Sequence, residues 1–224
     1  MCPEHSRPRR IRWLTAALLP AAAAIASANS IASTANLGAG RQAPPPFEIC
    51  YDFSCRSRAS VDLRGDDWHR VRELFAIPAL TAAEERGQIA AAIALLERLA
   101  STRSGIGRDL GGNIDGHGRP GQMDCIDEST NTTAYLQLLA ADGLLLFHRV
   151  DEPARRAPWV FDPHWTATLS DRDGQRYAVD SWFLDNGRRP YIQPLPAWLD
   201  KAELPYNPDA PSQPRRRAPI IPDS

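Results

Sequence analysis

Residues Gly121–Leu139 read GQMDCIDESTNTTAYLQLL. Asp124 has the short acceptor side chain of an N-cap, Asp127 follows three residues later, and Ile126, Ala134, Leu138 and Leu139 form one apolar stripe before Gly143. The spacing predicts a helix whose first residue is Cys125. After Gly143 the apolar period changes from helical to alternating. Leu144 to Val150, His164 to Leu169 and Gln175 to Phe183 are expected as a three-stranded antiparallel meander, with Tyr191 to Trp198 packing back on it. Toward the N-terminus, Thr81-x-x-Glu84 opens a helix to about Thr102 on the stripe Ile89, Ile93, Leu96 and Leu99. Gly65-Asp66 opens a shorter one through Trp68, Val71, Leu74 and Phe75, closed by Pro78. Phe47 to Cys55 and Ser60 to Leu63 alternate like a hairpin. The class is therefore α+β, helices followed by an antiparallel sheet.

The 224 residues are 43% hydrophobic and 24% charged with a net charge of −1, which fits a globular chain and gives no basic surplus for nucleic acid. Lys201 is the only lysine, so the basic charge is arginine throughout. The N-terminus has the parts of an export signal: Arg7, Arg9, Arg10 and Arg12, an apolar run from Trp13 to Ile25, and the A-x-A pattern Ala26-Ser27-Ala28. That run is shorter than the roughly 20 residues of a membrane span and contains Pro20, so no stable span is expected once the signal is removed. The expected organisation is a signal peptide over 1–28, a lead-in over 29–46, a domain over 47–204 and a Pro/Arg-rich disordered tail over 205–224 that includes Arg215-Arg216-Arg217. The expected location is periplasmic or secreted.

In such a compartment disulfides persist, and Cys50 and Cys55 are spaced for a turn-spanning bridge. Cys2 leaves with the signal, and Cys125 is left as an odd thiol. Ser104 to Gln122, rich in Gly and Asp without apolar period, reads as a loop of about twenty residues, unusual in a compact domain unless it has a task. Its Asn113-x-Asp115-Gly116 run misses the calcium-loop frame, with Gly111 and Gln122 where ligands belong.

A thiol at a helix N-terminus meets unpaired N–H groups and the positive end of the helix dipole, which favour its thiolate, whereas Asp124, Asp127 and Glu128 oppose it. A cationic partner is needed, and His164 is the candidate. Its strand puts Trp165, Ala167 and Leu169 on one face and His164, Thr166 and Thr168 on the other. Whether Asp180 joins it depends on the next turn. A two-residue turn at Asp173-Gly174 places His164 and Asp180 on opposite faces. A three-residue turn, Arg172-Asp173-Gly174 with Gly174 left-handed, makes them diagonal neighbours on one face. With the second geometry, Asp180 fixes the imidazole tautomer while the other ring nitrogen faces sulfur. The N–H of Cys125 is one expected oxyanion donor, and the side chain of Gln122 is the candidate second, the alternative being that Gln122 only ends the loop. His69, His117 and His148 have no such neighbours and read as surface or structural. Cys125, His164 and Asp180 lack a fourth ligand, so no metal and no cofactor are expected.

The segments GQMDCIDESTNTTAYLQLL, HWTATL and RYAVDSWFLDNG together resemble the transglutaminase-like superfamily of papain-type fold, including its bacterial cysteine proteinases. The resemblance covers about a third of the chain. It implies a papain-like core with Cys125 as nucleophile, His164 as base and then acid, and Asp180 as orienting carboxylate. The implied activity is thiol-dependent hydrolysis of a peptide or isopeptide bond, or acyl transfer to an amine, with a peptide or protein as substrate. The alternative is a catalytically silent domain of that kind serving as a periplasmic binding or assembly module.

Overall fold

The computed structural model describes residues 42–106, 109–112, 116–157 and 163–210, all within the unit Leu37–Ser224. The expected signal segment, most of the lead-in, Asn113 and Asp115, and the Arg215-Arg216-Arg217 run lie outside the described residues. The first elements are the antiparallel hairpin β1 (Phe47–Tyr51) and β2 (Ser57–Val61), then helices α1 (Gly65–Glu73), α2 (Ala82–Ser104) and α3 (Cys125–Ala141). Strands β3 (His148–Arg156), β4 (His164–Asp171), β5 (Arg176–Asp180) and β6 (Tyr191–Pro194) form one antiparallel sheet in chain order, and the short helix α4 (Leu195–Leu199) follows. The protein is thus mixed α+β, with its helices largely before a meandering sheet.

Local chemistry accounts for the helix ends. Thr81 accepts the Glu84 N–H at the start of α2, and Gly105 closes that helix at φ +76°. Asp124 takes the N–H groups of Ile126 and Asp127 at the start of α3, while Asp127 reaches back to the Asp124 N–H at 3.2 Å. The main core joins Ile89, Ile93 and Leu96 of α2 to Tyr135, Leu136 and Leu139 of α3, and these to Ala167, Leu169 and Val179 of the sheet. At about 25 cal/mol per Å² of apolar surface removed from water, this contact holds the two helices against one sheet face. On the other face Ala178 packs with Leu195 and Trp198.

Several boundaries differ from the sequence reading. The sheet has four strands, because Tyr191–Pro194 pairs with β5 instead of merely lying over it. β2 starts three residues earlier than expected, since the Cys50–Cys55 turn is tight. β3 starts at His148; Leu144 and Leu145 instead pack partly buried against the main core. β3 also runs through Pro153, which an edge strand with a bulge between Asp151 and Ala154 accommodates without losing a needed donor. Residues 205–210, placed in the tail by composition, pack against the domain: Asn207 is buried and donates to the Arg189 carbonyl at 2.7 Å.

Candidate active site

β4 and β5 meet through a three-residue turn. Asp171 and Gln175 close it, Gly174 is left-handed at φ +83°, and Ala167 stands opposite Val179. One step further along this register Asp180 is opposite Thr166, so His164 lies diagonally beside it on the same face. The imidazole Nε2 is 2.8 Å from Asp180 Oδ2, and both side chains are buried. The same carboxylate oxygen accepts the indole N–H of Trp198 at 2.7 Å, while Oδ1 accepts the Trp182 N–H at 3.3 Å. Asp180 is therefore held from three sides.

Cys125 is half-buried, unpaired, and the first residue of α3, with Sγ 4.0 Å from the Pro163 carbonyl. It acts on His164 to raise the imidazole, and since Nε2 is engaged by Asp180, Nδ1 is the ring nitrogen left for sulfur. Burial alone would lower the His164 pKa. Hydrogen bonds to Asp180 and Cys125, and the negative charge on both, overcome it and raise the imidazole to about 9. Near neutral pH the ring is therefore an imidazolium.

The ring is also enclosed by aromatic surfaces. Trp198 stacks on it at 5.6 Å, and Trp182 and Phe183 lie 5.0 and 5.3 Å away. Arg156 lies over the Trp198 ring at 4.3 Å and bonds the Trp198 carbonyl. Trp198 escaped the sequence reading; it is an apolar residue in a segment read only as packing, and nothing in its spacing announces a bond to Asp180.

The acidic neighbours of Cys125 are occupied in ways the sequence did not disclose. Asp52, Phe53, Ser54 and Cys55 form a left-handed turn with φ between 54° and 66°, closed by the Cys50–Cys55 disulfide. Its successive N–H groups point at α3: Phe53 and Cys55 donate to Asp127 at 2.8 and 2.6 Å, and Ser54 donates to Asp124 at 3.0 Å. Such a concave run of N–H groups stabilises anions. Asp52 in turn donates its N–H to the Gln122 carbonyl and accepts the Gly121 N–H, both at 2.9 Å. The stapled turn thus holds the backbone before the thiol and the Asp127 side chain after it.

Beneath it lie Glu97, Asp109 and Glu128, each at most 4% exposed. Burial pushes Glu97 up to about 8 and Asp109 up to about 6, and Glu128 rises well above the carboxylate range through burial and these neighbours. Burial and the Asp124 charge also raise Asp127, to about 6. Glu128, close to the thiol in sequence, is thereby held neutral and opposes a thiolate less than its formal charge suggests.

The loop before α3 forms a further wall. Gly112 donates to the Trp182 carbonyl at 2.7 Å, Gly111 donates to Asp185 at 3.0 Å, and Asn186 donates to the Asp109 carbonyl at 3.2 Å. A Cβ at Gly111 would collide with the Leu184 backbone, so the approach requires glycine. Gln122 is buried three residues before Cys125.

The remaining described histidines do not contact Cys125, His164 or Asp180. His148 is buried and bonds Glu85 at 2.9 Å, His69 is exposed beside Glu73, and exposed His117 meets the edge of Phe53. Among the described residues the one close set of three metal-ligand side chains is Cys50, Cys55 and Asp127, and these are engaged in the disulfide and the N–H bonds above. No helix of the described residues is long and apolar enough to cross a membrane. Comparison with family models, curated proteins and solved structures finds no match.

Proposed function

We propose that the protein is an exported thiol-dependent amide hydrolase or acyl transferase acting on a peptide or isopeptide bond, built on a transglutaminase-like core of papain type. The observation that carries this reading is the buried His164–Asp180 bond at 2.8 Å, with Cys125 at the start of α3 acting on the same ring. In the proposed reaction the thiolate attacks the amide carbonyl carbon. The oxyanion is met by the Cys125 N–H, which the first position of a helix leaves unused, and by the Gln122 side chain. His164 gives its proton to the leaving amine, and a thioester remains. Water or an amine then attacks the thioester, its proton passes to His164, and the Cys125 sulfur departs as thiolate. Asp180 keeps the imidazole in the required tautomer throughout.

Iodoacetamide alkylation tests the reading directly. Cys125 in the folded protein is expected to react at pH 6–7 faster than a simple thiol, whose pKa is about 8.5. His164→Ala is expected to remove that advantage. A thiol unreactive up to pH 9, or a profile unchanged by His164→Ala, overturns the enzyme reading in favour of a binding module with the same core.

A further inference from the structure

A cavity of about 710 Å³ lies between α1, α2 and the turn after β5, remote from the nucleophile in its lining. Four arginines from three elements converge on it: Arg70 of α1, Arg98 of α2, and Arg188 and Arg189 of the turn. The acids facing them are Glu73, which bonds His69, and Asp209, which accepts the Arg189 N–H at 2.9 Å and pairs with its guanidinium at 3.8 Å. The guanidinium groups of Arg70 and Arg188 have no hydrogen-bond or ion-pair partner among the described residues.

Arg98 is fixed in place. It bonds the Gly187 carbonyl, and its stem crosses the position a Cβ at Gly187 would occupy, where φ is +86°. Leu74 and the buried Leu95 supply an apolar floor beneath this basic rim. The volume is that of a small-molecule site, and converging guanidinium groups match the planar oxygens of carboxylates and phosphates.

We infer that this cavity is a binding site for a small amphipathic anion, an apolar body bearing a phosphate or carboxylate group, seated on Leu74 and Leu95 and clasped by Arg70, Arg98 and Arg188. The site is independent of the chemistry assigned to Cys125. It is linked to that chemistry through one stretch of chain, since the segment that starts with Trp182 beside the imidazole ends at Gly187–Arg189 on the cavity wall.

The test is isothermal titration of the full chain with phenyl phosphate and with phthalate, against inorganic phosphate and phenol. Phenyl phosphate or phthalate is expected to bind more tightly than inorganic phosphate, and phenol is expected not to bind. The stronger of the two organic anions identifies the anionic group. Arg70→Gln combined with Arg188→Gln should weaken binding at least tenfold, whereas Arg58→Gln, at the exposed pair with Glu48, should leave it unchanged. Both altered arginines are exposed, and circular dichroism checks that the helices persist. Absence of binding at millimolar concentration overturns the assignment. So does equal affinity in the double variant, or inorganic phosphate binding as tightly as the organic anions. None of these outcomes depends on whether Cys125 is reactive.

Discussion

Replacing Asp180 with Asn isolates the interaction on which the proposed chemistry turns. One oxygen, Oδ2, receives both His164 and Trp198, so the amide oxygen of the new side chain can take the same place and keep both bonds. The amide nitrogen would then face the Trp182 N–H, now bonded to Oδ1 at 3.3 Å, and losing that long bond costs about 1 kcal/mol. The fold should survive. The charge, however, is gone. His164 stands at about 9, raised from 6.5 against a burial effect that by itself lowers it. That rise corresponds to roughly 3 kcal/mol in favour of the imidazolium, and the bond to Asp180 is the largest contribution that raises it. In Asp180→Asn burial regains influence, and the midpoint is expected to fall by at least two units. Imidazole NMR titration reads this directly. Linkage supplies a second readout: a raised histidine pKa gives stability that is full below about 6.5 and lost as pH rises through 9, so wild-type melting should fall across that window. The variant should lose this slope. An imidazole that still titrates near 9 in Asp180→Asn would mean that Asp180 is not what holds the proton.

Three further outcomes follow from neighbouring contacts. Trp198→Phe removes a donor from buried Asp180 but keeps a ring against His164, so it should cost about 1.5–3 kcal/mol in unfolding experiments while the imidazole midpoint stays at or above its wild-type value. Reducing Cys50–Cys55, or Cys55→Ser, releases a small loop whose closure contributes about 2 kcal/mol; denaturant unfolding should show that loss, and alkylation of Cys125 should slow as Asp124 and Asp127 lose N–H partners. Glu97→Gln should be stabilising at pH 8 by on the order of 2–4 kcal/mol. A carboxyl raised to about 8 favours the fold below its unfolded value and loses that contribution as pH climbs to 8, so the variant's melting temperature should vary less between pH 5 and 8.

What could be read from the chain and what could not divide along physical lines. The capping residue Asp124 and the left-handed glycine in the β4–β5 turn act within a few residues, and both are visible in the string of letters. The turn length, which the sequence leaves open between two and three residues and the structure shows to be three, then fixes the faces of His164 and Asp180 by alternation alone. Trp198 bonding Asp180, or Phe53 and Cys55 donating backbone N–H groups to Asp127 across more than seventy residues, depends on how separate elements dock. No local pattern encodes such docking. Glu97 shows the same limit: on α2 it falls among core positions, and only its neighbours Asp109 and Glu128, brought in from other segments, make its burial intelligible as a protonated group. The strand boundaries moved for a related reason, since Pro153 reads as a breaker until its strand is known to lie at an edge.

The Arg172-Asp173-Gly174 turn has a bearing on how this chain can change through descent. Most of its loops can lengthen or shorten at a modest cost, because closure entropy grows slowly with length. This one cannot. A single inserted or deleted residue would carry Asp180 through the sheet to the side of Val179 and leave His164 facing a strand with no carboxylate. Chains of common ancestry that kept the pair should therefore preserve the sixteen-residue interval from histidine to aspartate, even where the segments at 105–123 and 157–163 have drifted in length beyond alignment. That interval, with a cysteine opening a helix upstream, is a sparse signature by which distant kin of this protein can be sought.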